Sequence, residues 1–236
     1  MHIAVVGAGI IGLMTALEFA EQGCEVTIFD QQQAGQAASW AGGGILSPMY
    51  PWRYAPEVNQ LAQYGKPLYQ TWNEKLAPIT GVDFQIHESG MLIFDEQDFQ
   101  SGLNYAVEQH EPMQTCELLN RAELEMVNPQ LSTQFKQAID FPQLSNIRKP
   151  QRLQSLIIYL IQHTLVNFFE NCPIEKLIIQ NQKVQGIETS NGQQFFADHV
   201  VLCSGAWSQQ WAGQLLRKIQ VHPVQGQMLL FKTPEN

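Results

Sequence analysis

The sequence predicts an α/β fold: a Rossmann-like dinucleotide-binding domain with an α+β second domain. Three observations lead there. The chain opens on a glycine-rich turn, Gly7-Ala-Gly9-Ile-Ile-Gly12, set between two apolar runs. An acidic residue, Asp30, closes the second of those runs. Far downstream, a further apolar run, His199-Val-Val-Leu-Cys203, ends in the small-residue turn Ser204-Gly205-Ala206.

The first run, Ile3-Ala-Val-Val6, is short and uniformly apolar, as a buried parallel strand requires. After the glycines, Leu13, Ala16, Leu17 and Ala20 recur at helical spacing, and Gly23 stands where the helix should stop. Glu25-Val-Thr-Ile-Phe-Asp30 then reads as the second strand. A G-x-G-x-x-G in this strand–turn–helix–strand setting is a dinucleotide fingerprint rather than a chance match. Gly7 permits the tight turn, Gly9 lets the backbone approach a pyrophosphate, and Gly12 lets the helix lie close to the sheet. Unpaired N–H groups at the helix N-terminus suit phosphate. Asp30 can accept hydrogen bonds from ribose hydroxyls and disfavours a 2′-phosphate.

Residues 31–56 read as a long loop, and long loops in compact domains are commonly functional. Its glycine triplet Gly42-Gly43-Gly44 and the tryptophans Trp40 and Trp52 suggest a loop held against something. A helix is expected next, with Leu61, Tyr64, Leu68 and Trp72 on a core-facing side. Val82–His87 and Met91–Phe94 read as strands around a turn at Glu88-Ser89-Gly90, followed by helices near 98–109 and 121–127. Leu153, Leu156, Ile157, Leu160, Ile161 and Phe168 then fall at helical spacing. A hairpin is expected from Ile174–Ile179 and Val184–Thr189 around Asn181-Gln-Lys, and Phe195-Phe196 begins another strand. The late strand 199–203 delivers the turn 204–208 to the sheet, where small residues allow backbone to approach a ligand.

Composition narrows the function classes. Lys and Arg number 13 against 22 Asp and Glu, a formal net charge of −9, which argues against nucleic acid as a partner. The apolar stretch 156–169 is interrupted by Gln162, His163, Thr164 and Asn167, so no membrane span is expected. The first strand begins at once, leaving no room for a cleaved signal before it. Cys24, Cys116, Cys172 and Cys203 are scattered without metal-ligand spacing, so neither a metal site nor a disulfide framework is expected, and the cytoplasm is the expected location. The histidines are dispersed, with His87 and His222 assigned to strands. No nucleophile constellation stands out.

The stretches Ala38–Tyr54, Ser145–Pro150, Val200–Ser208 and Pro223–Lys232, together with the opening turn, resemble the D-amino-acid-oxidase-like family of FAD-dependent oxidoreductases along nearly the whole chain. The likeness is greatest to the branch that oxidises glycine for thiamine thiazole biosynthesis. It implies FAD as cofactor, with backbone at Ile10 and Ile11 facing the pyrophosphate and Asp30, beside Gln31, holding the ribose. Ala38 and Ser39 approach the diphosphate and ribityl chain, and Gly43, Gly44 and Ile45 run along the flavin ring. Ile174 meets adenine through its backbone, and Ser204, Gly205 and Trp207 close the pocket. The implied domains are a discontinuous FAD-binding domain, 1–80 and 145–215, and a partial substrate domain, 81–144 and 216–236. The implied reaction takes glycine or another small amino acid to the imino acid, with dioxygen as acceptor and hydrogen peroxide as product. A D-amino-acid dehydrogenase, a sarcosine oxidase-like enzyme and a silent FAD-binding fragment are the alternatives. Relatives of this kind commonly form homotetramers, so a homo-oligomer is also considered.

Family members run well over a hundred residues longer, and the substrate-clamping arginine of the family falls in the part without a counterpart here. No catalytic residue is therefore assigned, and Arg53 is read as an exposed loop residue. The chain is expected to be a fragment that binds FAD weakly and turns over poorly.

Overall fold

The computed structural model describes residues 1–46, 49–108, 116–215, 220–227 and 229. In chain order the elements are β1 (His2–Val6), α1 (Ile10–Glu21), β2 (Glu25–Phe29), α2 (Ala38–Ala41), α3 (Pro56–Thr80), β3 (Ile86–Glu88), β4 (Leu92–Ile93) and α4 (Phe99–Glu108). There follow β5 (Glu117–Asn120), α5 (Arg121–Val127), β6 (Gln137–Asp140), β7 (Ser145–Ile147), α6 (Lys149–Gln162), β8 (Val166–Phe169), β9 (Ile174–Gln180), β10 (Lys183–Thr189), β11 (Gln194–Phe196) and β12 (His199–Leu202). Short 3-10 turns occupy Pro51–Arg53, Glu96–Asp98 and Gly205–Trp211.

The chain divides into two compact units. The first comprises Met1–Gly43, Leu76–Asp83 and Lys149–Asn236; the second comprises Gly44–Lys75 and Phe84–Arg148. The span 1–80 thus contributes to both units, with 44–75 in the second.

In the first unit a parallel sheet runs in the order β12-β1-β2-β8. Its central strands are buried almost throughout, with Ile3, Ala4, Val5, Val26, Ile28 and Phe29 all at or below 1% exposure. Parallel strands covered on both faces need such unbroken apolar runs. One face is covered by α1 and α6, which bury Leu13, Ala16, Leu17, Leu153, Leu156 and Leu160. The other carries the antiparallel sheet β11-β10-β9, whose Leu177 and Ile187 join Ala4, Val6, Phe29, Ile174 and Trp211 in one cluster. The β9–β10 hairpin turns through Asn181 and Gln182 at φ 50° and 62°, the two left-handed residues that a tight hairpin demands.

Two expectations fail here for identifiable reasons. Phe168 does not continue the helical stripe: α6 stops at Gln162, and Phe168 lies in β8, opposite Ile28 of β2. The apolar spacing survives the change from helix to strand, so periodicity alone hides the boundary. His222 lies in no strand and is exposed, whereas His87 lies in β3.

The second unit holds the antiparallel sheet β4-β6-β5 and the pair β3-β7. The strands expected around Gly90 therefore enter different sheets. The chain turns at Gly90 (φ 65°), and the N–H groups of Ser89 and Gly90 both donate to the Leu144 carbonyl. Ile93, Ile139, Phe141 and Leu144 form the local core. Helix α5 begins with a capping box: Asn120 Oδ1 accepts from the Glu123 N–H at 3.2 Å, and Glu123 returns a carboxylate oxygen to the Asn120 N–H at 2.7 Å.

Helix α3 contradicts the expected core-facing stripe. Leu61 and Tyr64 are each 74% exposed and Leu68 is 40% exposed, while Trp72 is half-buried. The side it buries carries Asn59 and Asn73, which anchor backbone: Asn59 Nδ2 donates to the Pro51 carbonyl, and Asn73 Oδ1 accepts the Phe84 N–H. Apart from the fully buried Leu76, these buried positions are held by hydrogen bonds and leave little apolar signature. Replacing Leu17, which is fully buried, with alanine is expected to cost about 2–5 kcal/mol. Leu61→Ala is expected to change stability by no more than about 0.5 kcal/mol. Urea unfolding followed by circular dichroism checks both, and equal losses would place Leu61 in a covered position.

Candidate dinucleotide-binding site

Strands β1, β2 and β12 lie in register, with Val6 opposite both Phe29 and Leu202, and a groove of about 140 Å³ opens past their C-terminal ends. Open parallel sheets place ligands at such an edge. Gly7 sits there at φ 108°, and its N–H donates to the Phe29 carbonyl at 2.7 Å. A β-carbon at position 7 would lie 2.4 Å from the carbonyl oxygen of Cys203, so the turn and the late strand can approach only through glycine. Gly12 is constrained in the same way inside α1: a β-carbon there would lie 1.8 Å from the Gly7 carbonyl oxygen.

The N-terminus of α1 points its first N–H groups toward the groove, and one already has a partner: Ile10 N–H donates to Ser39 Oγ at 2.9 Å. Ser39 is brought there by the short helix α2. No acidic side chain stands in the first turn of α1, so the positive end of the helix dipole is available to an anion. Asp30 accepts the Ala8 N–H on one carboxylate oxygen at 2.7 Å and the Gln32 N–H on the other at 2.8 Å. A carboxylate has about four acceptor positions, so each oxygen keeps one for a hydroxyl. The segment after β8 closes on the same turn, with Cys172 N–H donating to the Asp30 carbonyl and Glu170 accepting the Ala34 N–H. On the far wall, the Trp207 N–H donates to the Ser204 carbonyl, and the Trp211 indole N–H donates to Ser204 Oγ.

Of the residues expected at the cofactor, Gly7, Gly9, Ile10, Ile11, Asp30, Gln31, Ala38, Ser39, Ile174, Ser204, Gly205 and Trp207 line this groove. Gly12 does not, because it is buried against the turn it supports. Gly43 is exposed at the end of the first unit's opening segment. Gly44 (φ 78°) accepts the Ile147 N–H, and Ile45 bridges to Asn146, both within the second unit. Sequence reasoning passed over Cys172, Cys203 and Gln210, which also line the groove. The rule that ligands sit past the carboxyl ends of parallel strands would have found Cys203. Burial pushes both thiols up, and a hydrogen bond with Thr15 only partly offsets this at Cys203. They are therefore protonated and poor nucleophiles at neutral pH. Among the described residues no group of His, Cys, Asp and Glu could hold a metal ion, and no lysine or arginine lines the groove.

Arg53 belongs to the second unit and is half-exposed, but its guanidinium is committed. Nε donates to Asp98 Oδ1 at 3.1 Å, Nη2 meets Asp98 Oδ2, and the charge sits 4.3 Å above the Tyr50 ring. The Trp52 indole N–H donates to the same carboxylate at 2.7 Å. Burial works against the Asp98 charge, yet these hydrogen bonds and the Arg53 charge outweigh it and hold the carboxyl below its ordinary range.

The profile of the family described as DAO, FAD dependent oxidoreductase, matches residues 2–236. The chain belongs to this FAD dependent oxidoreductase family. Similar relatives are the glycine oxidases of Pseudomonas putida, 38% identical over all of this chain and 63% of the relative, and of Pseudomonas aeruginosa, 35% identical over 98% and 62%. The chain thus spans somewhat under two thirds of the length of the curated relatives it matches. At the level of fold, the glycine oxidase of Bacillus cereus superposes with a TM-score of 0.77 at 24% identity, covering 90% of this chain and 57% of that one. Within this DAO-family chain, the groove is lined by residues between 6 and 39 and between 172 and 210.

Gly7→Ala is expected to abolish soluble folding or to lower the unfolding midpoint sharply, because the added methyl meets backbone that cannot yield; a thermal melt checks this, and an unchanged midpoint would refute the close approach. The Asp98 pair carries a pH dependence. A carboxyl held below its unfolded value stabilises the fold fully above that value, and the contribution is lost as pH falls through the folded one. Acid unfolding between about pH 5 and about pH 2 should therefore be less steep in Asp98→Asn than in the parent.

Proposed function

We propose that the groove holds FAD and that this chain is the cofactor-binding part of an oxidase acting on glycine or another small amino acid. One observation carries the reading: the opening turn, Asp30 and the Ser204–Trp207 bend, remote in sequence, line one groove, with no lysine or arginine beside them among the described residues. An anionic diphosphate would find the α1 N-terminus, and an unphosphorylated ribose would find the open acceptor positions of Asp30. Gly7 and Gly9 keep the floor clear for the diphosphate, with Ile10, Ile11, Ala38 and Ser39 around it. Gln31 stands beside the ribose, Ile174 offers backbone to adenine, and Ser204, Gly205 and Trp207 form the closing wall. The glycine oxidase relatives support the substrate class.

Bound FAD supplies acceptance of a hydride from the amino-acid α-carbon and return of the electrons to dioxygen, so that the amine becomes an imine and dioxygen becomes hydrogen peroxide. The chain's own residues bind and orient. Cytoplasmic residence belongs to the same proposal and rests on the four free cysteines. No helix among the described residues is long and apolar enough to cross a membrane.

Titration of the purified chain with FAD is expected to give saturable quenching of flavin fluorescence. Glycine, sarcosine and D-alanine, each supplied with oxygen and with a quinone, should then yield peroxide from glycine foremost. No saturable binding at millimolar FAD would overturn the assignment, and electron flow to the quinone alone would favour a dehydrogenase. Alkylation by iodoacetamide gives a second measure: FAD should slow modification of Cys172 and Cys203 and leave Cys116 unaffected. Burial and the nearby Asp140 and Glu117 push the Cys116 thiol up to about 11, so alkaline buffer is needed to see it react.

A further inference from the structure

Ser204 lines the groove beside the glycine turn, where a β-carbon at Gly7 would come within 3.3 Å of the Ser204 backbone nitrogen. The Ser204 hydroxyl oxygen accepts the indole N–H of Trp211 at 2.9 Å. Trp211 is completely buried in the cluster formed by Ala4, Val6, Phe29, Leu177 and Ile187, and it does not itself line the groove. An indole N–H can only donate, so it occupies a lone pair of Ser204 Oγ and leaves the hydroxyl proton unspent. Among the described residues that proton has no acceptor. We infer that Trp211 is a positioning residue: it locks the Ser204 hydroxyl with its proton directed into the groove, as a donor to the FAD diphosphate. The inference rests on the FAD reading above and adds to it a rigid anchor in the hydrophobic core.

The geometry has a physical logic. A serine at a strand end samples three rotamers, and the bond from the Trp211 indole favours one of them. A partner fixed in a packed core removes that freedom before the ligand arrives, so binding loses less entropy. A neutral donor also suits this groove, whose lining among the described residues includes no cationic side chain.

Three variants test it by FAD titration, with the melting temperature of the FAD-free protein measured alongside. Trp211→Phe keeps the ring and removes the N–H; Ser204→Ala removes the hydroxyl without entering the core; Ser204→Thr keeps it. Trp211→Phe and Ser204→Ala are each expected to raise the FAD dissociation constant by about three- to tenfold, the worth of one hydrogen bond. The double variant should be no weaker than Ser204→Ala alone, because the two act through one bond. Ser204→Thr should bind as the parent does. A purely structural Trp211 would lower the melting temperature and add its effect to that of Ser204→Ala, which would overturn the inference. If Trp211→Phe fails to fold, Ser204→Ala still decides: affinity equal to the parent's refutes the role of the hydroxyl. Absence of FAD binding by the parent overturns this inference together with the assignment it rests on, whereas normal parent binding with an unaffected Ser204→Ala overturns this inference alone.

Discussion

The groove exists because two backbones touch. Gly7 ends β1 at a positive φ, and its Cα lies so close to the Cys203 carbonyl that any β-carbon would collide with it. That contact is possible only because β12 pairs in parallel with β1 along four residues, from Ile3 opposite His199 to Val6 opposite Leu202. Nearly two hundred residues separate the partners. The register of one strand pair thus decides whether the two halves of the binding wall face each other, and a slip by one residue would turn the core side chains of β12 to the wrong face.

The electrostatics follow from the same architecture. The chain is acidic overall, with a formal net charge of −9, and among the described residues no lysine or arginine lines the groove. It offers oriented backbone N–H groups at the α1 N-terminus instead. Such donors are fixed in place by helix hydrogen bonding and do not need to be ordered when a ligand binds. Asp30 then serves two purposes. The hydrogen bonds it accepts from Ala8 and Gln32 brace the turn, and its spare acceptor positions are suited to hydroxyl donors and not to phosphate.

Much of this was legible in the sequence, and the division is instructive. The β1–α1–β2 unit could be read because glycine spacing and apolar runs are local features that carry their own cause. The β9–β10 hairpin was equally visible through its asparagine turn. The late strand was readable as a strand, and the family likeness tied it to the opening turn. What escaped has a common origin in polar or ambiguous packing. Helix α3 buries Asn59 and Asn73, so its apolar stripe pointed to the wrong face. Phe168 kept a helical spacing while sitting in a strand. Gly44 and Ile45 were expected along a flavin; the sequence did not signal that they also pair with Ile147 and Asn146. Cys172 reaches the groove because its N–H bonds to the Asp30 carbonyl, a contact that no local pattern encodes.

The distribution of reactive groups argues for what this chain contributes. The groove thiols at Cys172 and Cys203 are held protonated by burial. The arginine read as an exposed loop residue, Arg53, has its fork on Asp98 and its charge over Tyr50. Drawing it away would leave the buried Asp98 carboxylate with the Trp52 indole alone, and an uncompensated buried charge is costly. Arg53 is thus a structural cation of the second unit, not one waiting for a ligand. Among the described residues, the groove itself offers glycines, backbone donors, the Asp30 carboxylate and the hydroxyls of Ser39 and Ser204. Such groups hold and orient a cofactor without doing chemistry of their own, and a redox cofactor needs no more than that from the elements that bind it.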